Sequence, residues 1–256
     1  MLLLTAWTDY AFSSDNVAAH QAGLTLSPPS LETKEATGRW RTAVADMGLP
    51  VGRPQTIVVD AAKWLRPGEH EVRIRTNMRI YWDQILVARA TDAQPTTTTI
   101  EAGRARLHAR GFSAEVRPDG REPARYEYSR VTPRSPWKSM PGRYTREGHV
   151  GPLLASADDM FVIAGPGDEI ALEFDASRAA PLPAGWMRTF LLVADGFSKE
   201  MDINSASPDS VAPLPFHRMT RYPYAAPEHY PDDPAHRRYQ DTYNTRVVAR
   251  TIPLLH

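Results

Sequence analysis

The sequence of 256 residues contains no cysteine, which excludes disulfides, thiolate metal ligands and cysteine nucleophiles. It has no run of about 18 consecutive apolar residues, so no membrane-spanning helix is expected. Long helical periodicity is nearly absent, and 23 prolines outnumber 15 glycines. This balance is typical of a chain rich in loops and β-strands.

Neither sign of charge is in excess. The 30 basic and 30 acidic residues cancel, and the isoelectric point is about 7.1. No electrostatic attraction to nucleic acid or to an anionic membrane surface is therefore expected. The G-x-S-x-G, H-E-x-x-H, P-loop and G-x-G-x-x-G motifs are missing, and the eight histidines are scattered, so the motifs favour no enzyme class.

Short runs with β-type patterns follow one another in the N-terminal region, separated by turn residues at intervals of about 8–12 positions. This spacing is typical of a β-sandwich or jelly roll. We therefore expect an all-β fold whose first unit is a jelly-roll or galactose-binding-like β-sandwich. The predicted strands lie at residues 2–10, 31–34, 40–44 and 55–60, with two more inside residues 71–87.

Residues 71–87 predict a β-hairpin, because period-two alternation is followed by a break and a second apolar run. The second arm is predicted to be an inner strand, with Trp82 as its largest core-filling side chain. Asp83 interrupts this run, and an isolated buried carboxylate costs several kcal/mol or more. We expect Asp83 to accept hydrogen bonds from Arg73, Arg75 or nearby backbone N–H groups and so to fix the register of the hairpin.

A linker composition at residues 91–103, with one proline and four successive threonines, predicts a domain boundary. The expected organisation is a β-sandwich domain (1–92), a second β-rich domain (104–204) and an extended C-terminal arm (205–256). Strands of the second domain are predicted at residues 105–109, 125–131, 160–164, 169–174 and 187–194.

The arm carries seven prolines between residues 205 and 234, which exclude regular helix and central strand there. A disordered tail and an anchored arm are the two interpretations, and the aromatic residues favour the anchored arm because disorder comes with few aromatics. The arm could anchor on its own chain or on a protein partner, through Phe216, Tyr222, Tyr224 and Tyr230.

Four side chains with oxygen ligands follow the last predicted strand of the second domain: Asp195, Asp202, Asn204 and Asp209. Such hard ligands suit Ca²⁺, although their spacing differs from that of the EF-hand loop. Asp-Gly and Asn-Ser pairs are also ordinary turn formers. A calcium site and a set of turns both stay open, and no other cofactor is expected.

Aromatic residues give a second functional hypothesis, a carbohydrate-binding module. Tryptophans commonly fill β-sandwich cores, but Trp64 and Trp137 lie beside loop signals and could be exposed. In this hypothesis Trp64, Trp137 or Tyr81 stacks on a sugar ring, with Asp83 in the same groove. The six tryptophans are at positions 7, 40, 64, 82, 137 and 186.

A third and weaker hypothesis is a carbohydrate-active enzyme with carboxylates from Asp83, Asp158, Asp159 or Asp195. Glycosidases need two carboxyl groups about 5–10 Å apart. Adjacent residues of a strand point to opposite faces, so Asp158 and Asp159 could share a site only if they lie in a loop.

Several stretches carry a resemblance that covers most of the chain. They are residues 7–10, GRW (38–40), GLPVG (48–52), RTNMRIYWDQI (75–85), PGRYTREGHV (141–150), TFLLVADGFSKEMDIN (189–204), PLPFHRM (213–219) and YNTR (243–246). In these motifs the sequence resembles the C-terminal region of large bacterial proteins with FG-GAP propeller repeats and ASPIC/UnbV segments. The resemblance implies a module of an exported, multi-domain protein used in adhesion or assembly, and it transfers no catalytic residue.

The leading hypothesis is therefore a non-catalytic, extracytoplasmic module that contacts other protein subunits. Aromatic and arginine side chains, which are enriched at protein interfaces, would supply the contacts.

Overall fold

The computed structural model describes residues 1–9, 11–89, 91, 96–121, 124–135 and 138–249. These residues form thirteen strands in antiparallel sheets and only two short α-helices, so the all-β prediction is confirmed. The chain divides into two compact units, one made of residues 1–95 and 117–124 and the other of residues 96–116 and 125–256.

The first unit contains two three-stranded sheets. Its elements are β1 (Leu2–Trp7), α1 (Ser13–Gln21), β2 (Ser30–Lys34), β3 (Trp40–Val44), β4 (Gln55–Val59), β5 (Val72–Arg75) and β6 (Tyr81–Val87). One sheet has the order β4-β1-β6 and the other the order β3-β2-β5. β2 and β3 lie where the sequence predicted strands at residues 31–34 and 40–44, and the two strands pair as antiparallel neighbours.

The core of this unit is built on the alternation of β1, where every second side chain is buried. Leu2 and Leu4 pack with Leu31 of β2, and Trp82 of β6 packs against the same cluster. Each fully buried leucine contributes roughly 1.5–3 kcal/mol relative to an exposed one. The period-two pattern of the first strand thus locates the core.

The predicted hairpin of residues 71–87 is wrong. β5 pairs with β2, and β6 pairs with β1, so the two arms lie in different sheets. The reason lies in the connection: Asn77 donates to the carbonyl of Thr25 at 2.8 Å and accepts from the N–H of Ser27 at 2.8 Å. These bonds tie the connecting segment to residues 25–27 instead of closing a tight turn.

The expected contacts of Asp83 are also corrected. Arg73 and Arg75 pair with Glu32, a buried carboxylate of β2, at the opposite sheet. Asp83 is the extra residue of a β-bulge, because Thr5 pairs with Gln84 and the next register pair skips one position. β6 is an edge strand with mostly exposed side chains, so the predicted inner strand is wrong as well.

The second unit has one three-stranded sheet and two strand pairs. Its elements are β7 (Ala102–Ala109), β8 (Phe112–Val116), β9 (Arg125–Thr132), β10 (Gly142–Tyr144), β11 (Gly148–His149), β12 (Asp168–Phe174), α2 (Pro234–Tyr243) and β13 (Arg246–Val248). The sheet has the order β11-β7-β12, β8 pairs with β9, and β10 pairs with β13. Ala105, Leu107 and Val150 form one of its buried clusters, and Met140, Tyr144 and Val211 form another.

Two predicted strands of this unit are not strands. In residues 160–164, Ile163 exchanges hydrogen bonds with Thr145, and Tyr239 donates to the carbonyl of Phe161 at 2.7 Å, so loop and helix contacts replace a sheet. Residues 187–194 join none of the described sheets. Their sequence has strand propensity, but within the described chain they have no neighbouring strand to pair with.

The Pro-rich arm is anchored on its own chain. Phe216 is buried, and the hydroxyls of Tyr222 and Tyr224 donate to the carbonyls of Pro213 and Leu214 at 2.8 and 3.1 Å. The extended arm predicted for residues 205–256 is interrupted by α2, which Asp233 caps by accepting backbone N–H bonds. A carboxylate at this position and proline at the first helical position are ordinary helix-start signals.

Candidate functional site: a histidine between two carboxylates and an exposed apolar segment

Three segments of the second unit meet at the imidazole of His217, in the arm. Its Nδ1 lies 2.6 Å from Oδ1 of Asp159, and its Nε2 lies 3.2 Å from Oδ2 of Asp195. The backbone N–H of His217 donates to the same Asp159 oxygen at 2.8 Å. One side chain therefore connects the 158–163 loop, the arm and the end of the segment that contains residues 187–194.

Asp159 is held in an unusual backbone conformation. Its φ is +66°, in the left-handed region that non-glycine residues rarely adopt. The hydroxyl of Tyr230 donates to its carbonyl oxygen, and His217 binds its carboxylate twice. Fixed contacts from two parts of the arm thus compensate for the strain at this loop position.

A second histidine supports the same loop. His236, in the first turn of α2, places Nδ1 2.7 Å from Oδ2 of Asp233 and Nε2 3.2 Å from the carbonyl of Asp158. Its ring meets that of Tyr230 edge to face, with centroids 5.6 Å apart. The start of α2 is therefore packed against the loop that presents Asp159.

Electrostatics favour the charged form of His217. The hydrogen bond that the ring donates to Asp159, then the one that it donates to Asp195, raises the pKa of the imidazole above its ordinary value of 6.5. Asp159 is mostly covered, whereas Asp195 is largely exposed. The imidazolium thus has one fixed carboxylate partner and one that faces solvent.

This arrangement does not suit the glycosidase hypothesis. Asp159 and Asp195 do converge, but an imidazole occupies the space between them that a glycosidic bond would need. The carboxylate of Asp158 accepts from Ser156 and from the N–H of Met160, within its own loop. Asp83 belongs to the first unit. Both nitrogens of His217 contact a carboxylate, so the ring links the two neighbouring segments.

Residues 187–193, the exposed apolar segment, end two positions before Asp195. Met187, Leu191 and Val193 are 92%, 85% and 93% exposed, and Phe190 and Leu192 are also exposed. Large apolar side chains scattered singly on a surface are ordinary, but a contiguous group marks an interaction site.

The four predicted calcium ligands do not converge. Asp195 binds His217, Asp202 accepts from the N–H of Asn204 at 2.7 Å, and Asp209 lies 3.4 Å from Nζ of Lys138. The described part of the chain contains no group of three or more His, Cys, Asp or Glu side chains that could hold a metal ion. The contacts seen at Asp202 are those of a turn.

The predicted sugar-binding residues are only partly described. Trp64 and Tyr81 are exposed in the first unit, and Asp83 is exposed at its bulge. Tyr81 lies against Trp7, with ring centroids 5.3 Å apart. Trp137 lies outside the described residues, so sugar stacking stays a prediction.

The aromatic residues proposed for partner contact point toward their own chain. Phe216 is buried and meets the ring of Tyr224 edge to face at 5.0 Å. The hydroxyls of Tyr222, Tyr224 and Tyr230 all donate to backbone carbonyls of the same unit. Their observed contacts hold the arm in place, and contact with a protein partner stays a prediction.

Sequence reasoning missed both histidines of the cluster. His217 finds its partners 58 and 22 positions away, and no motif links these positions. The signals near these positions are the adjacent carboxylates at 158 and 159, which predict catalysis, and Asp195, which predicts catalysis or calcium binding.

No protein-family model, curated protein or solved structure matches the chain. The helices that the structure describes are all too short or too polar to cross a membrane.

Proposed function

We propose that this chain is a non-catalytic, all-β module that binds another protein chain through the exposed apolar segment. The observation that carries the proposal is a strand-type sequence, TFLLVA, that has no sheet to join among the described residues and keeps its large side chains in solvent.

The distribution of apolar side chains along the segment indicates what kind of surface the partner offers. In an extended chain Leu191 and Val193 fall on one face, and Phe190 and Leu192 fall on the other. A strand that is apolar on both faces belongs inside a sheet that is covered on both sides. The partner is therefore a protein with an open sheet edge in an apolar groove, to which the segment adds as a strand.

Energetics support this mode of binding. Burying one large apolar side chain contributes roughly 1.5–3 kcal/mol, and the segment offers four in a row. Its backbone would add a ladder of hydrogen bonds with the partner strand. The anchored arm and the His217 cluster fix the C-terminal end of the segment, which lowers the entropy lost on binding.

The test compares recovery of partner proteins from the cells that produce the chain. Replacing both Leu191 and Val193 by Asp removes two apolar contacts, or about 3 kcal/mol and more than a hundredfold in affinity. We expect one defined protein to be recovered with the native chain and lost with this variant.

The matched control is Val58→Asp, at an exposed apolar position of β4 in the first unit. It should recover the same protein as the native chain. Equal recovery with the native chain and the Leu191/Val193 variant would contradict the proposal.

Placement in a large exported bacterial protein belongs to the same proposal and is supported by the sequence resemblance alone. In such a protein the partner would be another subunit or domain of an extracytoplasmic assembly.

A further inference from the structure

His217 is placed to control the C-terminal end of the exposed apolar segment. Asp195 follows Val193 by two positions, and its contact with Nε2 of His217 joins this end to the arm. On the other side of the ring, Asp159 is bound by both Nδ1 and the backbone N–H of His217. The ring of Phe161 stacks over the imidazole, with centroids 6.4 Å apart.

The protonation state of the ring determines whether both carboxylates can receive a hydrogen bond from it. An imidazolium has two N–H donors and can serve both, whereas neutral imidazole has one donor and one lone pair. Asp159 is the better-held partner, because its bond is shorter and a backbone N–H supports it. When one proton leaves, the remaining N–H stays with Asp159, and the lone pair of Nε2 faces the Asp195 carboxylate.

We propose that His217 is a pH-dependent clasp that holds the Asp195 end of the exposed apolar segment when charged and releases it when neutral. The charged groups that face the ring are Asp159 from the 158–163 loop and Asp195 from the segment. From α2, His236 places Nε2 near the carbonyl of Asp158 and Nδ1 near the carboxylate of Asp233. Tyr230 contacts the carbonyl of Asp159.

The clasp deepens the proposed function, since it regulates how the segment is presented to a partner. A held end offers a preordered strand, which binds with a smaller loss of entropy than a free one. Partner binding is therefore strongest under acidic conditions and weakens as His217 loses its proton.

The clasp itself is tested on the isolated full chain by NMR, with no partner present. The side-chain nitrogens of His217 report its protonation, and ¹³Cα relaxation of Ala194, Asp195 and Gly196 reports order. Below the pKa of His217 the order parameters of these residues should approach those of rigid backbone, about 0.85. Above it they should fall below about 0.6.

Two variants and one control make the test specific. With His217→Gln, the order of residues 194–196 should be low and independent of pH. Asp195→Asn, at an exposed side chain, should leave the fold intact, lower the pKa of His217 and remove the pH dependence. His70→Gln, in the first unit, should behave as the native chain.

Order parameters of residues 194–196 that stay constant while His217 titrates would overturn the clasp. This outcome would leave partner binding through the segment untouched, because no partner enters the measurement. Conversely, a clasp that titrates as described in a chain that recovers no partner would refute the proposed function alone.

Discussion

Arg246→Met is expected to destabilise the unit that carries the candidate site. Arg246, in β13, forms a two-pronged ion pair with Asp168, at the start of β12, and one of its two contacts measures 2.9 Å. The Asp168 side chain is 4% exposed and the Arg246 side chain is 28% exposed. Asp168 also accepts the N–H of Gly165 at 2.6 Å, which fixes the turn after residues 160–164.

Methionine keeps much of the length and apolar contact of arginine but leaves the Asp168 carboxylate buried without its cation. Removing one partner of a buried ion pair costs about 3–5 kcal/mol. Because Arg246 is partly exposed, water can replace some of its bonds, and we expect a loss near the lower limit, about 3 kcal/mol.

Native-state hydrogen exchange of the amides in β10 and β13 measures this loss in the second unit directly. The control is Arg104→Met, which breaks an exposed pair with Glu173 at 3.8 Å and should cost at most about 1 kcal/mol. A loss from Arg246→Met that equals the loss from the control would refute the reasoning.

Three further predictions concern the surroundings of the site. The pKa of His217 is raised in the folded chain, so its stabilising contribution is complete below pH 6.5 and is lost as pH rises through the folded pKa. Urea unfolding at a series of pH values should show this loss of stability. In His217→Gln this pH dependence of stability should be absent. Gly142→Ala, at φ +151°, places a Cβ 2.5 Å from that of Val211 and should cost about 1–3 kcal/mol by urea unfolding; an unchanged midpoint would contradict the packing. Lys199→Met removes an ammonium that donates to the carbonyls of residues 210–212, and we expect it to destabilise the arm by about 2 kcal/mol. Hydrogen exchange of the arm amides measures this loss. Unchanged exchange would contradict a stabilising role of Lys199.

The positions of β1 and β4 could be predicted from the sequence because burial alternates along both strands. β2 and β3 lack this alternation, and the turn residues between them mark their positions. β1, β2, β3 and β4 lie where alternation and turn residues placed them. The pairing of β5 and β6 could not be predicted, since the pattern of one strand does not identify its neighbour. The side chain of Asn77 forms hydrogen bonds to residues 25–27, about 50 positions away in sequence, and these bonds hold the connection between β5 and β6 away from a tight turn.

The candidate site was less accessible to sequence reasoning than the fold. Asp159 and Asp195 both belong to the catalytic hypothesis, Asp195 belongs also to the calcium hypothesis, and Tyr230 belongs to the hypothesis of partner contact. Their common neighbour, His217, lies in a Pro-rich arm whose path depends on aromatic anchors and backbone bonds. Only the folded arm brings this histidine to the two carboxylates.

The strand predicted at residues 187–194 shows most clearly that a local sequence pattern alone does not predict whether a strand forms. Its β-branched, leucine and aromatic residues have strand propensity, but a strand also needs a neighbour to accept its hydrogen bonds. The described chain supplies none. This mismatch between sequence and structure is the basis of the proposed binding mode.

Photo-crosslinking from the exposed apolar segment tests the central claim most directly. A photoreactive amino acid at position 192 of the full chain, in the cells that produce it, should give one crosslinked protein, with the crosslink in an edge strand of that protein. Adding Val193→Pro, which removes a backbone N–H needed for strand pairing, should abolish the product. A product that persists with Val193→Pro, or that forms equally from position 58 in the first unit, would contradict binding by strand addition through this segment.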